Sequence, residues 1–471
     1  MNIHQTFLSI FFSLTILSFT SGMEITNYSD GTVIDYPVAL LYGTTEDKNA
    51  VDIQCENTSS SKSTRILKGS AFQGRFKVLA ELVPGENTLL LKSGSEEKTL
   101  KIIYQQNKNP LFVRVIYQTD SSGNTEFQSQ KKDDPQNFRS KLDTAMKLMQ
   151  TFTAERMNDA GYGRKTFNLE LDENGNVIVH VVKGKLTAQE YAQIQEEKGD
   201  IAWFDTVFNE LKESYPLDKA RNLVIPAYSR FIPETGKVPG HTALGGSHGQ
   251  AMFGSANIFT WPDTLNDVVA AFEDSTPIDS ANFQDDSVGR SCFWGVASTT
   301  MGAALHEIGH TLDLPHSNDA HDIMTRGHDR FNRAFLTREA PHAYNPNWYE
   351  FRDNEIALWG PKNAPQLTWN PFLQDTPPAE RNEEKVKVLM DHQKGILTVK
   401  AEDGIQMIGC FDGERRFWCW TPDRNSKETI REISFNFSDI ISQTSPNADV
   451  FMFNACDANY QQGVIGIKVH R

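Results

Sequence analysis

The sequence is poor in cysteine, has no excess of positive charge and contains no apolar run of bilayer length, and each shortage removes a class of protein. Five cysteines in 471 residues (Cys55, Cys292, Cys410, Cys419 and Cys456) are too few for a disulfide scaffold. In an oxidising compartment they would close at most two bridges and leave at least one thiol over, with Cys456 the favoured partner. With 46 Lys+Arg against 61 Asp+Glu, the net charge of −15 leaves no surplus for neutralising phosphates, which argues against a general nucleic-acid binder. The longest apolar run, Phe7 to Phe19 (FLSIFFSLTILSF), has about thirteen residues against the roughly 20 that a membrane span needs. No internal repeat is visible.

That short run is followed by the small residues Ser21 and Gly22, so 1–22 reads as a cleaved signal peptide, although its leading segment has no Lys or Arg. A secreted, extracellular chain with no membrane span after cleavage is expected. Three acceptor sequons, at Asn27, Asn57 and Asn436, fit a glycoprotein.

Residues 23–106 alternate short apolar runs (VALLYG, RFKVLAELV, NTLLLKSG, KTLKIIYQ) with turn residues, which predicts an immunoglobulin-like β-sandwich. The pattern changes at Leu111. LFVRVIY reads as a buried strand, and Asp134-Pro135 as the start of a long helix whose stripe of Phe138, Leu142, Met146, Met149, Phe152 and Met157 packs on a sheet. FNLELD and VIVHVV, joined by ENGN, predict a hairpin; WFDTVFNELKES predicts a helix and NLVIPAY a strand. This order gives a mixed α/β domain over 107–345, a connector over 346–375, and a second sandwich or jelly-roll module over 376–471.

Chemistry concentrates at 306–316, HEIGHTLDLPH. On a helix His306 and His310 stand one turn apart on one face, with Glu307 beside them. Catalytic zinc takes three protein ligands and one open position, and His316 supplies the third if the helix ends soon after His310. Leu314-Pro315 provides that break, because proline cannot continue a helix. Cys292, set among apolar residues, reads as an inert buried thiol rather than a rival nucleophile.

HEIGHTLDLPH, followed by DIMTRG, resembles the metzincin zinc peptidases, whose pattern is HExxHxxGxxH with a downstream methionine turn. TALGGS, FTWP and the modular layout also resemble a family of metallopeptidases typified by a yeast protein with a lectin-like C-terminal domain. The resemblance implies one catalytic Zn2+ held by His306, His310 and His316, Glu307 as general base, and Met324 as the apolar floor beneath the metal. It also implies an edge strand beside the cleft that binds extended peptide, assigned to Ala251–Phe259 with Ala251, Met252, Phe253 and Gly254 at its start; the alternative is an ordinary surface hairpin.

Two departures from the metzincin pattern stand out. Asp313 replaces the turn glycine, where a left-handed residue is needed, and Arg326 stands where some members carry a tyrosine ligand. Cys55, in IQCENT, does not match a latency cysteine. His241 and His248 are either ligands of a second metal or loop residues, and His321 and His328 read as structural or surface residues. The expectation is a metzincin-like zinc peptidase domain flanked by two all-β modules, hydrolysing protein or peptide substrates, with glycan or protein ligands for the β modules. Two alternatives use the same residues. One is a secreted binding or adhesion protein on a catalytically silent scaffold, and the other a zinc amidase acting on a non-peptide amide.

Overall fold

The computed structural model describes residues 22–59, 66–246, 248–376, 384–413, 415–443 and 448–469. The apolar run at 7–19 lies outside them. Among the described residues no helix is long and apolar enough to cross a membrane.

The N-terminal strands are β1 (Glu24–Ile25), β2 (Thr32–Ile34), β3 (Val38–Thr44), β4 (Asp52–Asn57), β5 (Ile66–Phe72), β6 (Arg75–Glu81), β7 (Gly85–Ser93) and β8 (Glu96–Tyr104). In place of two separate sheets they form one hydrogen-bonded path, β1-β3-β6-β5-β4-β7-β8-β2, antiparallel except where β2 meets β8. Alternate side chains such as Ile53 and Cys55, Leu89 and Leu91, Leu100 and Ile102 fill the module's own core. β3 breaks the alternation: Ala39 and Leu41 face that core, while Val38 and Leu40 belong to the core of the next domain. The strand is covered on both sides, which is why it reads VALL.

The central domain holds β9 (Phe112–Thr119), α1 (Phe138–Asp159), β10 (Asn168–Leu169), β11 (Val179–Lys183), α2 (Ala188–Lys198), α3 (Asp200–Leu211), β12 (Ala220–Pro226), β13 (Ala243–Gly245), β14 (Gln250–Phe253), α4 (Val268–Glu273) and α5 (Phe293–Thr311). Its sheet runs β10-β9-β12-β14-β13, parallel except for β13, with β11 also on β9. The expected 167–182 hairpin is not formed as two paired strands. β10 and β11 are successive stretches of one edge, both parallel to β9, and the loop between them closes with a single Leu171–Val177 bridge.

α1 starts at Phe138, later than Asp134-Pro135 suggests, because Gln136 sits at φ 56 and Asp134 caps that turn by accepting its N–H. The apolar stripe is buried, and so is nearly everything else on α1, since the helix is packed between the N-terminal module and the sheet. Polar residues there are paired: Glu155 accepts from Tyr28 (2.6 Å), Tyr36 (2.9 Å) and Arg164 (2.8 Å).

Next come β15 (His316–Ser317), a 3-10 segment over Arg326–Ala334, β16 (Arg338–Glu339), β17 (Tyr349–Glu350) and α6 (Ala364–Thr368). The stretch 346–375, expected as a connector, is core: Phe351, Ile356, Trp359, Leu367, Phe372 and Leu373 are buried in the main cluster. The C-terminal module contains β18 (Val386–Asp391), β19 (Ile396–Ala401), β20 (Ile405–Phe411), β21 (Arg415–Trp420), β22 (Glu432–Asn436), α7 (Phe437–Ile441), β23 (Val450–Asp457) and β24 (Gln462–Lys468). Two sheets, β18-β19-β22 and β15-β21-β20-β23-β24, share one core, and the second includes β15 of the central domain.

Of two expectations tied to secretion, one is not met and the other narrows to a single sequon. All five cysteines are free thiols, so the expected disulfide is absent; burial pushes Cys55 up to about 12 and Cys292 and Cys419 to about 11. Asn27 and Asn57 spend their amide nitrogens inside the fold, on Leu40 O (2.8 Å) and Glu155, and on Glu81 O (2.9 Å) and Asn87. Of the three sequons, only Asn436 is exposed.

Candidate metal centre

α5 packs tightly because glycines recur every seventh position on it. A Cβ at Gly302 would stand 2.1 Å from the carbonyl oxygen of His328, and one at Gly309 would stand 2.4 Å from Sδ of Met324. The 3-10 segment and the chain before it therefore lie directly against the helix that carries His306 and His310.

The helix ends as its sequence requires. Leu314 N–H donates to Gly309 O (3.1 Å) and Asp313 N–H to His310 O (3.1 Å), the paired bonds of a Schellman cap. Asp313 takes the left-handed position at φ 64, the place where metzincins have glycine. Pro315 then leads into β15 and His316.

This turn brings three imidazoles together, with one ligand atom of each within 4.8 Å of the others. Nδ1–H of His306 donates to Ile323 O (2.7 Å) and Nδ1–H of His310 to Leu314 O (2.8 Å). Each carbonyl fixes a tautomer whose Nε2 keeps its lone pair. Nε2 of His310 and Nε2 of His316 are 3.2 Å apart. Two imidazoles bound tetrahedrally at Zn–N of ~2.05 Å stand about 3.3 Å apart, so the donor set fits the ion. Burial first, and then His310, holds His306 well below its usual range and keeps it neutral.

Glu307 is buried beside them, and burial alone pushes its carboxyl up to about 8. A divalent cation nearby acts in the opposite direction. Met324 is fully buried; its N–H donates to Asp322 Oδ1 (2.9 Å) and its carbonyl accepts from Ser317 N–H (3.1 Å).

The strand assignment moves by one limb of a hairpin. β14 is paired on both sides, to β12 and β13, and Ala251, Met252 and Phe253 are buried. The edge is β13, antiparallel to β14, and a Cβ on its Gly245 would stand 2.4 Å from Glu307 O and 3.0 Å from His310 Cβ. The intervening Gly245–Gly249 (GGSHG) has the spacing of a serine-hydrolase nucleophile motif, but it joins two antiparallel strands instead of a strand and a helix. Ser247 itself lies outside the described residues.

Among the described residues no other histidine joins the triad's cluster of ligand atoms. His241 pairs with Asp286 (3.2 Å) and His248 is wedged edge-on between Phe204 and Phe208, so they do not share a site. His321 lies 3.6 Å from Asp319, and the half-buried His328 packs edge-on against the ring of His306 with Asp329 on its Nε2 side (3.4 Å). Arg326 pairs with Asp329 and faces solvent. Asp322, Asn363, Arg416 and Tyr460, which surround the His316 loop, carry no sequence signal: three of them make bonds that span 48 to 147 residues.

Three imidazoles converging from a helix and the strand after it, with a buried glutamate alongside, define a candidate mononuclear metal centre of the kind that serves hydrolases. A family model described as "Putative peptidase family" matches residues 22–406, and the chain belongs to that family. Two yeast proteins, each named a putative zinc metalloproteinase, are similar to it. The one from Schizosaccharomyces pombe is 31% identical over 284 residues, 56% of this chain and 45% of the relative. The one from Saccharomyces cerevisiae is 27% identical over 388 residues, 74% of this chain and 53% of the relative. The chain thus spans about half the length of the curated relatives it matches. Among solved structures, wild-type OgpA from Akkermansia muciniphila has a TM-score of 0.45 at 14% identity, covering 78% of this chain and 95% of that one. Its catalytically inactive form, in complex with an O-glycopeptide (glycodrosocin) substrate, has a TM-score of 0.46 at 14% identity, covering 78% and 94%.

Proposed function

We propose that this chain is a zinc-dependent metalloendopeptidase of metzincin type, with His306, His310 and His316 as ligands, Glu307 as general base and Met324 as the methionine turn. The observation that carries the reading is the convergence of one ligand nitrogen from each of three imidazoles, two of the rings being held by Nδ1–H bonds to backbone carbonyls. When bound, a zinc ion supplies an acidified water and polarises the scissile carbonyl. Glu307, buried and adjacent on the helix, takes the proton of the attacking water and returns it to the leaving amine. β13 offers its free edge to an extended peptide, and Gly245 lets that strand lie against the turn holding Glu307 and His310. Secretion belongs to the same proposal and rests on the 7–19 run.

The test is hydrolysis of casein by the zinc-loaded chain. Activity that Glu307→Gln removes while one equivalent of zinc stays bound supports the reading. A protein that holds stoichiometric zinc and cleaves nothing, or a variant as fast as the parent, sinks it.

A further inference from the structure

The loop bearing His316 has little structure of its own. Past the Schellman cap the ligand sits on the two-residue β15, and that strand's ladder partner is β21 of the C-terminal module, with His316 opposite Arg415 and Ser317 opposite Arg416. Arg416 is fully buried. Its guanidinium donates to Lys362 O (2.9 Å), Asn363 Oδ1 (3.0 Å) and Gln366 Oε1, with Asn454 Oδ1 at 3.5 Å, so neutral oxygens meet a buried cation.

Those acceptors are themselves donors to the metal loop. Asn363 turns its amide nitrogen to Asp322 Oδ2 (3.0 Å) and Pro315 O (3.3 Å), and so stands between the buried cation and the buried carboxylate that holds Met324 N–H. Gln366 donates to Asp313 O (2.8 Å). The side chain of Asp313 accepts from the hydroxyl of Tyr460, again from the C-terminal module (3.2 Å). A docking contact that merely joined two modules would have no reason to fall on Asp313, Pro315, His316 and Asp322, the turn and strands around the third ligand. The family model ends at 406, short of Arg416 and Tyr460.

We propose that Arg416 is a positioning residue of the metal centre and that the C-terminal β module is a structural part of that centre. It acts through Asn363 and Gln366, which hold the His316 strand and the Met324 turn in register with α5. The inference rests on the zinc reading above. Losing the forked guanidinium removes several bonds at once, and lysine cannot replace its geometry.

The experiment uses the full chain and measures the zinc dissociation constant by chelator competition, the visible spectrum of the Co2+ form, and the melting temperature without metal. Arg416→Lys is expected to weaken zinc about 10- to 100-fold, the range for partners that orient ligands, and to change the Co2+ bands. Tyr460→Phe deletes one hydroxyl at the same loop, keeps the protein decisive if Arg416→Lys fails to fold, and is expected to weaken zinc about 2- to 10-fold. Glu432→Gln, on the exposed face of the same module, is the control and should change neither. Parent-like affinity and Co2+ spectrum in both test variants overturns the positioning role while leaving the zinc reading intact. A parent that binds no stoichiometric metal overturns both.

Discussion

Met324 occupies the space that a side chain at Gly309 would fill, its sulfur 2.4 Å from where a Cβ would stand, at the position of α5 that directly precedes His310. Gly309→Ala gains about 1 kcal/mol of helix propensity but pushes the thioether out of its place. The expected result is a melting temperature within a few degrees of the parent, with weaker zinc binding. Gly302→Ala meets the backbone of His328 instead, which yields far less than a methionine, so a loss of about 1–3 kcal/mol is expected in chemical denaturation. Equal stabilities for the two variants would contradict this packing.

Glu307→Gln should lower kcat on casein by about 10²- to 10⁴-fold, the contribution of a positioned general base, with little change in zinc content. Metal analysis alongside steady-state rates checks both halves.

Added zinc should raise the melting temperature, because an ion that binds the folded chain alone stabilises it by about 2.7 kcal/mol at a hundredfold excess over Kd. His316→Ala should abolish most of that shift, and calorimetry with and without chelator reads it.

Asp322 is held above the usual carboxylate range, to about 6, chiefly by burial, against the bonds it accepts from Met324, Gly360, Ser317 and Asn363. Its folded pKa exceeds its unfolded one, so its contribution is complete below about pH 4 and is lost as pH rises through about 6. Between those limits the metal-free parent should lose stability from this group, and Asp322→Asn should show a flatter profile. A steeper profile in the variant would refute the assignment.

Five thiols should titrate after denaturation without reductant, and the mass should match a fully reduced chain. A bridge would show as a deficit of two.

How much was legible in the sequence depended on the range of the interactions. HEIGHTLDLPH could be read because ligand spacing, cap and break are local, and Asp313 took the left-handed conformation its position demands. β14 looked like the edge because nothing in 240–259 says which limb of the hairpin meets β12; that is decided by the parallel pairing of Asn222 with Gln250. The 346–375 segment looked like a connector because its prolines and asparagines hide Trp359 and Phe372, which are buried by elements hundreds of residues away. Arg416 had the composition of any surface arginine, and its burial comes from a module joined to the metal loop by two residues of ladder.

That ladder also imposes an order of events during synthesis. β21 leaves the ribosome about 100 residues after His316, which at ~5–20 residues per second is a delay of roughly 5–20 s. Throughout that interval the nascent chain carries the complete histidine motif while the strand that pairs with β15 has yet to be made, so His316 gains its ladder partner last.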